Sequence, residues 1–175
     1  MSKLEILLKK AKRILLDGDL EDALKMLNDW LNEHPTDGAA YKMRASISAA
    51  DGRFQDALDD LKLAMENGHA ADVSGRFEEG TCLIELRRFP EAFRVFSEVI
   101  DSSDEPARSY FFTSALLFRA IASVHCAQFD PKDLRLDELG DARQLLFGRM
   151  WDKQVLRAEV EKIVLNRGRG LPRLQ

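Results

Sequence analysis

The strongest constraint on this chain is a segment that it writes three times: GDLEDAL at 18–24, GRFQDAL at 52–58 and RRFPEAF at 87–93. Ala23, Ala57 and Ala92 stand 34 and then 35 positions apart. The same two steps relate Leu20, Phe54 and Phe89, then Leu27, Leu61 and Phe96. Upstream they bring Ala11, Ala45 and Gly80 into register, and Ile14, Ser48 and Leu83. Each small residue answers another small one. Recurrence at that period is the signature of a stacked array, in which no unit can bury its apolar face alone.

Each column has a mechanical meaning. Gly18 and Gly52 take the positive φ that ends one helix and admits a tight turn. Arg87 holds the same place in the third copy, so that turn is expected to close differently, with Pro90 in the first turn of the next helix, where proline is tolerated. The leucine or phenylalanine just after the turn plugs the gap between two antiparallel helices. The alanine three residues later lets their backbones approach. Apolar residues then recur at helical spacing, as in Ala23–Leu24–Leu27–Leu31 and Ala57–Leu58–Leu61–Met65. The reading is helix–turn–helix, three times.

These segments resemble tetratricopeptide repeats (TPR). The family pattern wants a bulky residue early in the first helix, a small one a turn later, another small one after the turn, and a closing proline. The first copy supplies Leu7, Ala11, Ala23 and Pro35, and the second Tyr41, Ala45, Ala57 and Ala64, with His69 in the place of the proline. The third supplies Gly80, Ala92 and Phe96, with Arg76 at the bulky place and Asp104 for the proline. Trp30 stands where the family has alanine, which implies a looser first hairpin. The resemblance covers residues 4–104 and implies an all-α array of helical hairpins.

Beyond 104 the pattern decays. After DSSDEPARSY (101–110), YFFTSALLFRAIASVHCAQF reads as a helix apolar on nearly every side, which must be buried on several of them. AQFDP at 127–131 echoes the earlier turn, and a short helix is expected near Lys132–Leu139. DARQLLFGRM (141–150) reads as loop or one extended segment. Asp152 caps a last amphipathic helix with Val155, Leu156, Val160, Ile163 and Val164 on one stripe. At the other end, Ser2 and Glu5 form a capping box. The expected organisation is one TPR-like domain over 1–165. It holds repeats at about 4–36, 37–70 and 72–104, a degenerate fourth over 109–140 and a capping helix at 152–166. The cap covers the apolar end that a solenoid leaves exposed. The tail 167–175, with Gly168, Gly170 and Pro172, is expected to be disordered.

Chemistry finds little purchase. His34, His69 and His125 are far apart, and neither HExxH nor a paired Cys/His cluster occurs, so no metal, cofactor or catalytic residue is assigned. His125 and Cys126 are adjacent, and helix neighbours point about 100° apart, which disfavours a nucleophile–base pair. The pairs Asp59–Asp60, Glu78–Glu79 and Asp137–Glu138 read as solvated helix faces. Net charge is −4, which argues against general nucleic-acid affinity; only Arg167, Arg169 and Arg173 of the tail offer RNA a contact. No run reaches the ~18 apolar residues of a membrane span, and the start reads as mature helix, with Lys9, Lys10, Lys12 and Arg13 interrupting it. Two cysteines without CxxC spacing fit reduced thiols and a cytoplasmic location.

What remains is a groove. In the family the first helix of each repeat lines the concave side, where peptides bind. The resemblance places Lys12, Lys42, Met43, Ser46, Phe77, Glu78, Thr81, Ile84 and Glu85 there, with Leu117, Phe118 and Ile121 from the fourth repeat. At the places where chaperone-tail-binding relatives hold a carboxylate, this chain carries Leu8, Lys12, Met43, Ser74 and Glu78, so that clamp is absent. The groove is open to two readings: it binds an amphipathic or extended partner segment, or the C-terminal helix folds back and fills its apolar half. The function expected is a non-enzymatic scaffold or adaptor for a partner polypeptide. The alternatives are a dedicated bacterial chaperone for a secreted or toxic protein, and a self-associating module that forms a homodimer.

Overall fold

In the computed structural model, residues 2–69, 72–102, 105–126, 130 and 134–168 are described. Among them the chain is almost wholly helical and falls into two compact units, Met1–Leu86 and Arg87–Gln175. The division lies within the third expected repeat, between its two helices.

The first unit holds α1 (Lys3–Asp17), α2 (Leu20–Glu33), α3 (Gly38–Ala50), α4 (Phe54–Glu66) and α5 (Val73–Glu85). The capping box forms: Glu5 N–H donates to Ser2 Oγ at 3.1 Å and Ser2 N–H donates to Glu5 Oε2 at 2.7 Å. Gly18 closes α1 at φ 89° and Gly52 closes α3 at φ 76°. In both turns the next residue donates back five positions, Asp19 N–H to Ile14 O (3.2 Å) and Arg53 N–H to Ser48 O (2.8 Å). Contacts run α1–α2, α2–α3, α3–α4 and α4–α5, and also α1–α3 and α3–α5. The odd-numbered helices therefore form one continuous row, with α2 and α4 behind it. Ala11, Ala23, Ala45 and Ala57 are fully buried where the helices cross, which is the close approach their column demands.

Trp30 does not leave the first hairpin loose at its exit. Its indole N–H donates to Asp37 Oδ2 at 2.9 Å, its ring stacks on His34 at 3.9 Å, and Asp37 caps α3 through Ala40 N–H. Asp37 thus joins the end of one hairpin to the start of the next. Immediately after it, Gly38 is held so close that an added Cβ would lie 2.8 Å from Ala64 O.

The second unit holds α6 (Phe89–Ile100), α7 (Glu105–Cys126), a 3₁₀ turn at Leu136–Leu139, β1 (Gln144–Leu146), β2 (Arg149–Trp151) and α8 (Lys153–Gly168). α6 packs along α7, with Phe96 stacked on Phe118 at 5.2 Å between ring centroids. The all-round apolar reading of α7 is correct in its consequence, since residues 115–118 and 120–124 are all buried.

Three expectations need correction. The turn at Arg87 closes like its glycine counterparts, because Arg87 itself adopts the left-handed conformation at φ 58°. Of the short helix expected over Lys132–Leu139, the described residues show a 3₁₀ turn at Leu136–Leu139; 127–129 and 131–133 lie outside the described residues. Residues 141–150 are neither loop nor one extended segment. Phe147 and Gly148, at φ 53° and 73°, make a two-residue turn between paired strands whose register is Gln144↔Trp151, Leu145↔Met150 and Leu146↔Arg149. The C-terminal helix is present, capped by Asp152 Oδ1 accepting from Val155 N–H, and it packs on α7 through buried Leu156 and Val160. It continues through residues 167–168, so those belong to α8, while 169–175 lie outside the described residues along with Asp104.

Candidate partner-binding face

The row α1–α3–α5 carries most of the expected groove residues. Lys12 and Glu85 are exposed, and Lys42, Met43, Ser46, Phe77, Glu78 and Thr81 are half-buried. Four others are core. Ile84 and Ile121 have no exposed surface, Leu117 has 2% and Phe118 has 7%. A side chain sealed inside its own chain offers nothing to a partner, so these four are removed from the face. Periodicity could not separate them, because an apolar residue on a helix lining a groove and one packed into a core follow the same spacing.

Lys42, Ser46 and Glu78 come together where α3 meets α5. Lys42 Nζ donates to both oxygens of Asp72 at 2.7 Å. Asp72 also caps α5, accepting from Gly75 N–H at 2.7 Å. Burial works against ionising Asp72, but these hydrogen bonds outweigh it and hold the carboxyl below the ordinary range. Ser46 Oγ donates to Lys42 O at 3.2 Å and is also hydrogen-bonded to Glu78. Burial, reinforced by nearby Asp72, pushes the Glu78 carboxyl up against the opposing pull of Ser46 and Lys42. A cavity of about 20 Å³ beside Lys42, Asp72 and Arg76 has room for one water.

Neither cysteine is placed as an activated nucleophile. Cys82 is buried on α5, and burial, aided by Glu78 and Glu85, pushes its thiol up to about 12, so no thiolate forms near neutral pH. His125 Cys126 is no dyad either: the His125 ring stacks on Phe89 at 4.3 Å, and burial raises the Cys126 thiol. Among the described residues no three His, Cys, Asp or Glu side chains gather to hold a metal ion, and no helix is long and apolar enough to cross a membrane.

Two partnerships were not singled out from sequence. Asp72 stands before Val73-Ser74-Gly75, an N-cap position, and that signal was available. Asp60, read with Asp59 as solvated, is 5% exposed and holds Arg44. Arg44 Nε and Nη2 donate to its two oxygens at 2.7 and 2.6 Å, and Nη1 donates to Asn28 Oδ1 at 2.7 Å. One guanidinium therefore ties α2, α3 and α4 together.

No family model matches the sequence, and no curated protein matches it. Solved structures do. The TPR2B domain in the pHsp70 complex of yeast Sti1 superposes with a TM-score of 0.57 at 19% identity, covering 67% of this chain and 97% of that one. The MamA protein gives a TM-score of 0.59 at 17% identity, covering 99% of this chain and 79% of that one. YrrB, described as a TPR protein with an unusual peptide-binding site, gives 0.57 at 15% identity, over 90% and 66%. Likeness at such identities establishes the fold: this is a tetratricopeptide-repeat architecture.

Proposed function

Given a tetratricopeptide-repeat fold, we propose that the chain is a non-enzymatic scaffold that binds a partner polypeptide along the row α1–α3–α5. The observation that carries this reading is the row itself. Its side chains from Lys12 to Glu85 are mixed in charge and half-buried or exposed, and hydrogen bonds hold Lys42, Ser46 and Glu78 in place at its centre, which is how a preformed recognition surface is built. Two of the similar structures are described with a pHsp70 complex and with a peptide-binding site, which supports the same reading. The apolar half of the expected groove is filled from within: Leu117, Phe118 and Ile121 are buried, and α8 packs on α7. The face proposed is therefore polar and confined to the first unit, which suits an extended or charged segment better than an apolar helix. We extend the proposal to a cytoplasmic location and the role of an adaptor, with a dedicated chaperone for a single client as the alternative.

The test is a crosslinking capture with the full chain, followed by charge reversal. Lys12→Glu and Glu85→Lys alter exposed side chains and are expected to keep helicity while weakening capture about tenfold. A Glu33→Lys control on an exposed position of α2 should leave capture intact. Equal capture by all three, or crosslinks confined to α6–α8, would overturn the assignment. A dimer in light scattering whose contacts lie on this row would favour self-association instead.

A further inference from the structure

A second site lies on the other side of the first unit, independent of the row. A cleft of about 340 Å³ opens between α2 and α4 with α3 as its floor. It is lined by Leu24, Asn28, Arg44, Ser48, Arg53, Asp56, Asp59, Asp60 and Leu63. We infer that this cleft receives an arginine side chain presented by a partner polypeptide.

Charge complementarity is the first argument. Arg44 is neutralised by Asp60, and Arg53 Nε is paired with Asp51 Oδ2 at 2.9 Å. Asp56 and Asp59 then stay without an ion pair among the described residues, Asp59 accepting only from Gln55 Nε2 at 3.0 Å. Three apart on α4, they share a face and stand within reach of one planar cation.

Ser48 supplies the second. It is 3% exposed, it lines the cleft, and its hydroxyl has no hydrogen-bond partner among the described residues. Three other helical serines are satisfied by the carbonyl four residues back: Ser46 by Lys42 O, Ser97 by Phe93 O at 2.8 Å and Ser123 by Arg119 O at 2.8 Å. Ser48 makes no such bond to Arg44 O. Among the described residues the buried side-chain atom left without a partner is Trp151 Nε1, so the Ser48 hydroxyl is open to the cleft, where an incoming donor replaces water. Leu24 and Leu63 complete the fit, as apolar walls suit the methylene stem of a long cationic side chain.

The experiment is a titration of the full-length protein, followed by amide NMR, with the peptide acetyl-Ala-Leu-Arg-Leu-Ala-amide and with its counterpart carrying uncharged citrulline for arginine. Expected are shifts focused on Asn28, Ser48, Asp56 and Asp59, and at least about tenfold weaker binding by the citrulline peptide. The Asp56→Asn/Asp59→Asn variant, whose changes lie on an exposed face, should keep its melting temperature and lose about tenfold in affinity. Ser48→Ala should lose about threefold. Equal binding of both peptides, shifts spread over the surface, or full affinity in the double variant would each overturn the inference. Because Lys12 and Glu85 are untouched, the row and the cleft fail separately.

Discussion

The two units solve the same problem, seating helix on helix, with different chemistry. In Met1–Leu86 the contacts are periodic and small: glycines turn the chain at positions 18 and 52, alanines sit at the crossings, and a charged staple of Arg44, Asp60 and Asn28 joins three helices. In Arg87–Gln175 the period persists only through α6, where Ala92 is buried, and aromatic bulk takes over beyond it. Phe96 stacks on Phe118, while His125 packs on Phe89 and meets Phe147 and Trp151 edge-on or tilted. A repeat is thus a constraint on backbone spacing. Where it lapses, large side chains carry the packing and a β-hairpin becomes tolerable among helices.

The largest effects should come from removing each unit's staple. Phe96→Ala deletes a fully buried ring and is expected to cost about 3–5 kcal/mol. Arg44→Ala strands Asp60 almost without solvent, at a cost of about 3 kcal/mol. The two should then diverge. Replacing the pair together, Arg44→Met with Asp60→Leu, should recover most of that loss, whereas no polar substitution at position 96 recovers its own. Urea denaturation of the three variants decides it; a double replacement no better than Arg44→Ala would mean the charge is not what matters at the staple. Smaller, at about 1–3 kcal/mol, is Ala57→Leu, which overfills a fully buried crossing of the second hairpin. If it is silent in the same assay, the small-residue column is not a packing requirement.

That column is also why so much of the first unit was legible. Helix ends, crossings and pairing follow from Gly18, Gly52, Ala23 and Ala57, since each residue type has one mechanical use at its place. The second unit hid more. β1 and β2 are three residues each, too short for alternation to register, and their turn depends on Phe147 at a positive φ that no rule assigns to phenylalanine. On the candidate face, Lys42, Met43, Ser46, Phe77 and Glu78 keep part of their surface open, but Ile84, Leu117, Phe118 and Ile121 look the same in sequence whether they line a groove or fill a core. The Arg44–Asp60 pair was invisible because its partners are sixteen positions apart on different helices.

The third turn offers a finer comparison. Nothing lies within 4 Å of a Cβ built on Gly52, so Gly52→Arg meets no clash and should cost only the left-handed backbone, about 1–2 kcal/mol. The reverse change, Arg87→Gly, relieves that strain but forfeits the guanidinium over the Phe147 ring at 4.6 Å, worth about 0.5–1 kcal/mol, and adds the unfolded-chain freedom of glycine. It should be nearly neutral. A gain above about 1 kcal/mol for Arg87→Gly would show that the Phe147 contact contributes nothing.

The smallest effects concern pH, where the units should move in opposite directions. Burial is the leading cause in both cases, and it disfavours the charged form. For Glu78 that raises the value above its ordinary 4.5, so its contribution is complete below 4.5 and is lost as pH rises through the folded value. For His125, burial and the charges of Arg87 and Arg149 lower the value below 6.5 against the opposing pull of Glu159. Its contribution is complete above 6.5 and is lost as pH falls through the folded value. Unfolding followed at α3 and α7 amides across this range should show the first unit weakening on the alkaline side of 4.5 and the second on the acid side of 6.5. Glu78→Gln should flatten only the first slope and His125→Asn only the second. A single slope shared by both probes, or one that survives its own substitution, would assign the pH dependence to other groups.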